Sequence, residues 1–168
     1  MAKKKDDQIK IQKETEDRMV YLTITGKYFD PGKAGKYLNL SPDDWGILGE
    51  KRDNGRKCKQ GYFTLYGGPC HWKHETQIKN ILKRILPVKK KLVKLLKEDK
   101  TITRAYLMLV ISPPKGLYNA GYCFDANLLN EFTSIGIDIA LSIHVSSEWE
   151  KILTEYNKKE KLKSKKKK

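Results

Sequence analysis

The chain has 168 residues and a formal net charge of +15, and 39% of its residues are hydrophobic. This length fits one domain of ordinary size, which can bury a core without metals or disulfides. No apolar run approaches the roughly 20 residues that a bilayer-spanning helix needs, which excludes a membrane span. The charged N-terminus lacks the apolar segment of a secretory signal, and the three cysteines are scattered. We therefore expect a reducing, cytoplasmic setting.

The positive charge is concentrated in two parts of the chain. Residues 73–100 carry ten basic side chains against three acidic ones, and residues 151–168 carry nine lysines against two glutamates. The remainder is nearly neutral. We predict a charged arm over 1–18, a single domain over 19–156 and a disordered lysine-rich tail over 157–168. The tail has too few apolar residues to offset the entropy of ordering it.

The first half of the chain predicts two strands and one short helix. Residues 19–25 are rich in β-forming side chains and end at a glycine, which predicts a strand. Asp30 and Pro31 supply a cap and a first-turn proline for a helix. Residues 41–45 fit either one helical turn or a turn that leads into an extended segment. Residues 62–66 predict the second strand, in a hairpin or beside a neighbouring edge strand.

Residues 74–98 give the clearest pattern, that of a long basic amphipathic helix. The apolar residues recur at helical spacing on one stripe. Pro87 interrupts the segment, but the stripe keeps its phase across it, so we predict a kink near Pro87 or two abutting helices on the same surface. Five lysines fall on the face opposite the stripe: Lys79, Lys83, Lys90, Lys94 and Lys97.

The second half continues the alternation of strands and helices. Residues 102–111 are almost continuously apolar, which predicts a central strand. Asp125 is placed to cap a helix that Gly136 would end. Residues 137–145 alternate strictly, which predicts a strand with one buried face, and a last helix is predicted after Ser146 or Ser147. Together these elements predict an α+β fold, a single mixed sheet with helices packed on it.

Residue types for catalysis or metal binding do not form a recognisable constellation. The sequence has no nucleophile elbow, phosphate loop or dinucleotide fingerprint, so we expect no enzymatic activity and no cofactor. Cys70 and His74, with His71 between them and Cys58 upstream, are zinc-ligand types. Their spacing is not that of a finger or ribbon. Cys70 and His74 are therefore weak metal candidates, better interpreted as entry residues of the long helix.

Two kinds of partner remain open. In a protein-binding module, the basic helix would meet an acidic protein partner and aromatic side chains would anchor it. The alternative is a nonspecific nucleic-acid binder that uses residues 73–100 and the lysine-rich tail for phosphates. Tyr62 and Tyr66 share one face of their predicted strand, where they would serve as anchors or as a stacking platform. Protein binding is the leading prediction.

Several stretches together resemble a bacterial family. The shared order is strand–Gly–x–x–Phe–Asp–Pro–short helix–Leu, a Gly-Glu pair, an aromatic strand, a helix of the form Ile-x-x-Ile-Leu-x-x-Ile-Leu-Pro, and a helix–Gly–alternating strand. The sequence resembles the family known as domain of unknown function 4279 over about residues 20–145. The matching stretches are 21–40, 49–50, 62–65, 77–96 and 128–144.

The resemblance implies a small α+β domain and no particular reaction. Small bacterial families of this type are often accessory or toxin-neutralising immunity proteins, so it also implies an immunity-type role. Family members usually end with a strand that carries two alternating Asp and a Tyr. Here those places hold Ala140, Ser142 and His144, and Asp138 is out of phase. Any function of the family's acidic pair is therefore expected to be absent.

Overall fold

The computed structural model describes residues 19–52, 55–69, 73–111 and 123–143. The predicted N-terminal arm, the last helix and the lysine-rich tail lie outside these ranges. Five strands form one mixed sheet with helices packed on it, which confirms the predicted α+β fold. In chain order the elements are β1 (Met19–Gly26), α1 (Pro31–Leu38), β2 (Asp44–Gly46), β3 (Gly61–Tyr66), α2 (His74–Ile85), α3 (Lys89–Glu98), β4 (Arg104–Ile111), α4 (Ala126–Thr133) and β5 (Asp138–Ile143).

The sheet has the strand order β2-β3-β1-β4-β5. The first three contacts along this order are antiparallel, and the contact between β4 and β5 is parallel. The parallel pair is joined through α4, as a parallel connection requires a crossover. None of the helices in the described ranges has the length and apolar character needed to cross a membrane.

The two predicted capping aspartates lie at the N-terminal ends of their helices. The carboxylate of Asp30 accepts hydrogen bonds from the backbone N–H groups of Gly32 and Lys33, at 2.9 and 3.1 Å, and Pro31 is the first residue of α1. Asp125 Oδ1 accepts from the N–H of Asn127 at 2.8 Å at the start of α4. Such caps satisfy N–H groups that have no partner inside the helix.

Residues 41–45 take the extended alternative and not the helical one. The N–H of Asp43 donates to the carbonyl of Thr64 at 2.9 Å, and β2 begins at the next residue. The antiparallel partner β3 supplies the hydrogen bonds that a helical turn would otherwise have made internally, which decides between the two alternatives.

The long basic segment consists of α2 and α3, separated by a 3₁₀ turn at Leu86–Val88. Pro87 lies in this turn, where it has no N–H to donate to an α-helical ladder. The apolar stripe continues through both helices, and Ile78, Ile81, Ile85 and Leu92 are buried. The five lysines named above are all exposed on the outer side of these helices.

The sheet has two different faces. Side chains alternate along a strand, so every second residue of each strand points to the same face. One set joins the helices in a common core: Val20, Leu22 and Ile24 of β1, Phe63 and Leu65 of β3, and Leu107 and Leu109 of β4. The residues between them point to the opposite face, which no helix of the described ranges covers.

The predicted central strand is confirmed, because β4 lies between β1 and β5, and its burial alternates between buried and half-buried. The prediction for the last strand needs correction. The alternating set of β5 does not form a buried face, because Leu141 and Ile143 are each 55% exposed. β5 is an edge strand of the described sheet, and the core covers Ile137 but not the end of the strand.

Candidate functional site

The open face of the sheet carries four tyrosines from three adjacent strands. Tyr21 of β1 pairs with Tyr66 of β3, and Thr23 pairs with Thr64 two residues further along. Tyr62 follows two residues beyond Thr64 and pairs with Thr25, so it lies on the same face. Tyr106 of β4 pairs with Thr23 of β1. Since paired residues share a face, the four rings lie on one surface. We call this surface the tyrosine face, defined by Tyr21, Tyr62, Tyr66 and Tyr106.

Threonines form the floor of the tyrosine face. Thr23, Thr25 and Thr64 are at most 5% exposed, and the hydroxyls of Thr23 and Thr64 lie 2.9 Å apart in a hydrogen bond. The β-branched side chain suits a strand, and the mutual hydrogen bond satisfies two buried hydroxyls. Above this floor lies a depression of about 530 Å³ that the tyrosines line. The surface can therefore receive part of another molecule.

The aromatic rings are held by one another and by a cation. Tyr21 and Tyr66 meet edge to face, with ring centroids 6.1 Å apart and planes at 71°. Arg104 places its guanidinium 5.6 Å from the ring centroid of Tyr106. Edge-to-face pairs and cation–π contacts each add specific attraction beyond burial. These contacts restrict the rings before any partner arrives.

A polar triad closes the tyrosine face at the β2 end. The hydroxyl of Tyr62 donates to Asp44 Oδ1 at 3.0 Å and accepts from Arg52 Nε at 3.0 Å and from Arg52 Nη2. Arg52 Nη2 also lies 3.3 Å from Asp44 Oδ2. All three side chains thus engage each other, and both charges are compensated.

The first helix of the basic segment positions this triad from below. Arg84 of α2 pairs with the carboxylate of Asp43 and donates to the carbonyl of Ser41 at 2.8 Å. The same Asp43 carboxylate accepts the N–H of Tyr66 at 2.7 Å. These bonds fix the backbone immediately before Asp44. The carboxylate of Asp44 is therefore presented at a set place on the open face.

Three tyrosines of this face have raised pKa values. Burial is the main cause at Tyr21, and the neighbouring Tyr106 and Tyr66 add to it. Burial also raises the pKa values of Tyr62 and Tyr66, to which the Asp44 carboxylate contributes, while Arg52 opposes it. A buried or acid-flanked phenol resists becoming an anion. Tyr21, Tyr62 and Tyr66 therefore keep their phenolic protons to a higher pH than an ordinary tyrosine does.

We expect the stability of the fold to decrease as the pH rises above about 10, the ordinary pKa of tyrosine. Since the folded chain holds the phenolic protons of Tyr21 and Tyr66 more tightly than the unfolded chain, deprotonation favours unfolding. Urea unfolding between about pH 9 and pH 11 measures this slope. The double variant Tyr21→Phe with Tyr66→Phe is expected to have a smaller slope. The exposed Tyr28, changed to Phe, is the control, and equal slopes in all three proteins would contradict the expectation.

The structure separates the two sets of residues that the sequence proposed for partner binding. Tyr62 and Tyr66 lie on the tyrosine face. The five lysines lie on the outside of α2 and α3, whose other sides pack against the opposite face of the sheet. One partner surface cannot easily reach both, because the sheet and the helices lie between them.

Sequence reasoning missed half of the tyrosine face. Tyr21 alternates with Thr23 and Thr25 within an otherwise apolar strand, a period-two signal that could have been used. Tyr106 lies in a run of apolar residues that carries no such alternation in the sequence. Its place beside Thr23 depends on the register between β1 and β4, which the sequence alone does not reveal.

Of the zinc-ligand types that the sequence offered, the structure describes His74 and Cys58, and it places these two apart. His74 is the first residue of α2, and its Nε2 lies 3.0 Å from the carbonyl of Val110, which pairs with the start of β1. Cys58 packs near Gly46, at the end of the sheet where β1 finishes. Cys70 and His71 lie outside the described residues. Among the residues that are described, no three His, Cys, Asp or Glu side chains converge to hold a metal ion.

The tyrosine face presents hydroxyls, aromatic rings and compensated charges, which are groups suited to binding another molecule. The class that emerges is an α+β domain whose described helices cover one face of the sheet and leave the aromatic face open. The chain matches the model of the family DUF4279, domain of unknown function, over residues 13–146, and it belongs to that family. No curated protein and no solved structure matches it.

Proposed function

We propose that the protein is a non-catalytic binding module that docks another protein on its tyrosine face. The supporting observation is the cluster of Tyr21, Tyr62, Tyr66 and Tyr106 around a depression on an open sheet. Tyrosine and arginine are enriched at the energetic centres of protein interfaces, and tyrosine supplies a large contact area at low entropic cost. The edge-to-face packing of Tyr21 on Tyr66 keeps that cost low here.

The charges on this face favour a protein partner over a polyanion. Arg52 pairs with Asp44, and the same face carries one further cation, Arg104, and one further carboxylate, Asp138. A carboxylate hydrogen-bonded to Tyr62 would repel phosphates that approach the ring, whereas a protein surface can offer groups of either sign. The centre of the site is thus nearly neutral and aromatic, as in the cores of protein interfaces.

Nucleic-acid binding by the basic helices is the second candidate. The exposed row of Lys79, Lys83, Lys90, Lys94 and Lys97 favours it, because aligned lysines can neutralise successive phosphates. The row lies on the other side of the molecule from the tyrosines, so base stacking and phosphate contacts would not be combined. This separation makes protein binding the better-supported function.

The proposal is tested by affinity purification from the native cells with quantitative mass spectrometry. We expect at least one protein to be recovered with the wild type and depleted about tenfold by Tyr21→Ala with Tyr66→Ala, because truncation of aromatic anchors costs the most. The matched control is Tyr28→Ala with Tyr37→Ala, two exposed tyrosines away from this face. A bound protein that both double variants retain equally, or the absence of any bound protein, would overturn the proposal.

An immunity-type role is the more specific form of this proposal. In that role the partner would be a toxin, and the module would act in the bacterial cytoplasm, where thiols stay reduced. In the part of the chain that the structure describes, buried Cys58 and exposed Cys123 are free, which is compatible with that setting. Co-expression with the product of a neighbouring toxin-like gene tests it: protection of the cells that depends on Tyr21 and Tyr66 supports the role, and failure to protect removes it.

A further inference from the structure

Residues 47–52 and 55–60, between β2 and β3, form the two arms of a basic hairpin beside the tyrosine face. Its two arms are joined by bonds from Gly49 N to Cys58 O and from Cys58 N to Glu50 O, both at 2.8 Å. Residues 50–60 contain two acidic side chains, at Glu50 and Asp53, and five basic ones. All five are exposed: Lys51, Arg52, Arg56, Lys57 and Lys59.

The hairpin and the tyrosine face form one continuous surface. A second depression, of about 480 Å³, is lined by Arg56, Lys57 and Lys59. It shares Arg52, Gln60 and Tyr62 with the depression above the threonine floor. A partner segment can therefore run from the aromatic site onto the basic hairpin without leaving the protein surface.

Large apolar side chains are exposed at the base of the same hairpin. Ile47 and Leu48 are 44% and 39% exposed, whereas the exposed Trp45 pairs with Phe63 and so points to the opposite face of the sheet. Apolar side chains next to a cluster of cations complement a segment in which carboxylates alternate with aliphatic groups.

We infer that the basic hairpin, and not the lysine row of α2 and α3, holds the partner, and that the partner presents an acidic amphipathic segment there. This inference rests on the proposed binding at the tyrosine face. Two observations support the inference. The exposed cations of the hairpin complement carboxylates, and the two depressions meet at Arg52 and Tyr62, which would place the partner's acidic groups next to the aromatic anchors. The lysine row lies on the far side of the molecule and takes no part.

The test uses the full chain and a short fluorescein-labelled peptide of Glu and Leu, followed by fluorescence anisotropy and by amide NMR. We expect binding that weakens with added salt and amide shifts in residues 55–66. The matched peptide with Gln in place of every Glu is expected to bind at least about tenfold more weakly. Absence of binding, or equal binding of the two peptides, would overturn the inference.

Charge reversal on the protein locates the contact. The variant Arg56→Glu, Lys57→Glu, Lys59→Glu is expected to reduce affinity for the acidic peptide about tenfold or more, while Lys79→Glu, Lys83→Glu, Lys90→Glu leaves it within about twofold. The opposite result would move the acidic contact to the helices. If an oligothymidine binds the hairpin more tightly than the peptide does, the partner is a nucleic acid and the inference is wrong.

The outcomes distinguish this inference from the proposed function. If the native partner is lost with Tyr21→Ala and Tyr66→Ala but retained by the hairpin variant, the tyrosine face binds and the hairpin does not. If the acidic peptide binds the hairpin while the tyrosine variants retain the native partner, the docking proposal fails and the acid-binding surface remains.

Discussion

Truncation of Leu107 to alanine is expected to lower the free energy of unfolding by about 2–5 kcal/mol. Leu107 is completely buried on the helix side of β4 and belongs to the common core. Its neighbour Met108 points to the open face and is half-buried. The same truncation at Met108 is expected to cost only about 1 kcal/mol, because few atoms surround it.

The pair of variants tests the two-faced sheet on which the candidate site depends. Chemical denaturation of both variants and the wild type supplies the comparison, with the slope against denaturant checked for constancy. If Met108→Ala cost as much as Leu107→Ala, the open face would be packed like the core. The tyrosine face could then not serve as a docking surface.

Replacement of Gln77 by methionine is expected to cost about 1–3 kcal/mol, although the change in volume is small. Gln77 is fully buried in α2, and its Oε1 accepts the backbone N–H of Val20 at 2.8 Å. Without that acceptor the N–H at the start of β1 remains buried and unsatisfied. Val20 uses its carbonyl for another contact, the N–H of Gly67 at 2.8 Å.

Lys79 provides the matched control for Gln77, because it lies on the exposed side of the same helix. Lys79→Met is expected to change the free energy of unfolding by no more than about 0.5 kcal/mol. Hydrogen exchange of the Val20 amide adds a local measurement. A stable Gln77→Met protein with unchanged protection at Val20 would contradict the role assigned to the buried amide.

Local sequence patterns predicted most of the elements. The caps at Asp30 and Asp125 and the apolar stripe of α2 and α3 depend on residues within a few positions of each other, so they can be recognised in the sequence. The choice between helical turn and strand at residues 41–45 was different. It depended on the carbonyl of Thr64, about twenty residues further along the chain.

The candidate site was only half predictable for the same reason. Tyr62 and Tyr66 share a strand, so their common face follows from the alternation of side chains. Tyr21 and Tyr106 join them only through the registers between strands. The Asp44–Arg52–Tyr62 triad likewise joins three points of the chain that no spacing rule connects.

The net charge of +15 is a further property whose distribution in space the sequence does not reveal. Summed along the sequence, the domain outside residues 73–100 is balanced, and the cations between β2 and β3 are hidden by acidic residues elsewhere. In the folded chain, Arg56, Lys57 and Lys59 lie together beside Tyr62. A sum along the chain averages over distance, whereas binding depends on which charges are neighbours in space.

The sequence by itself determined the α+β class, the capped helices, the amphipathic basic segment and the family, because periodicity and capping act over short stretches. Tertiary structure alone decided which sheet face the described helices leave uncovered, which tyrosines share it and which cations border it. Strand order and register are long-range choices set by how the whole core packs. They placed the predicted lysines and the predicted tyrosines on opposite sides of the molecule, and put a second basic group next to the tyrosines.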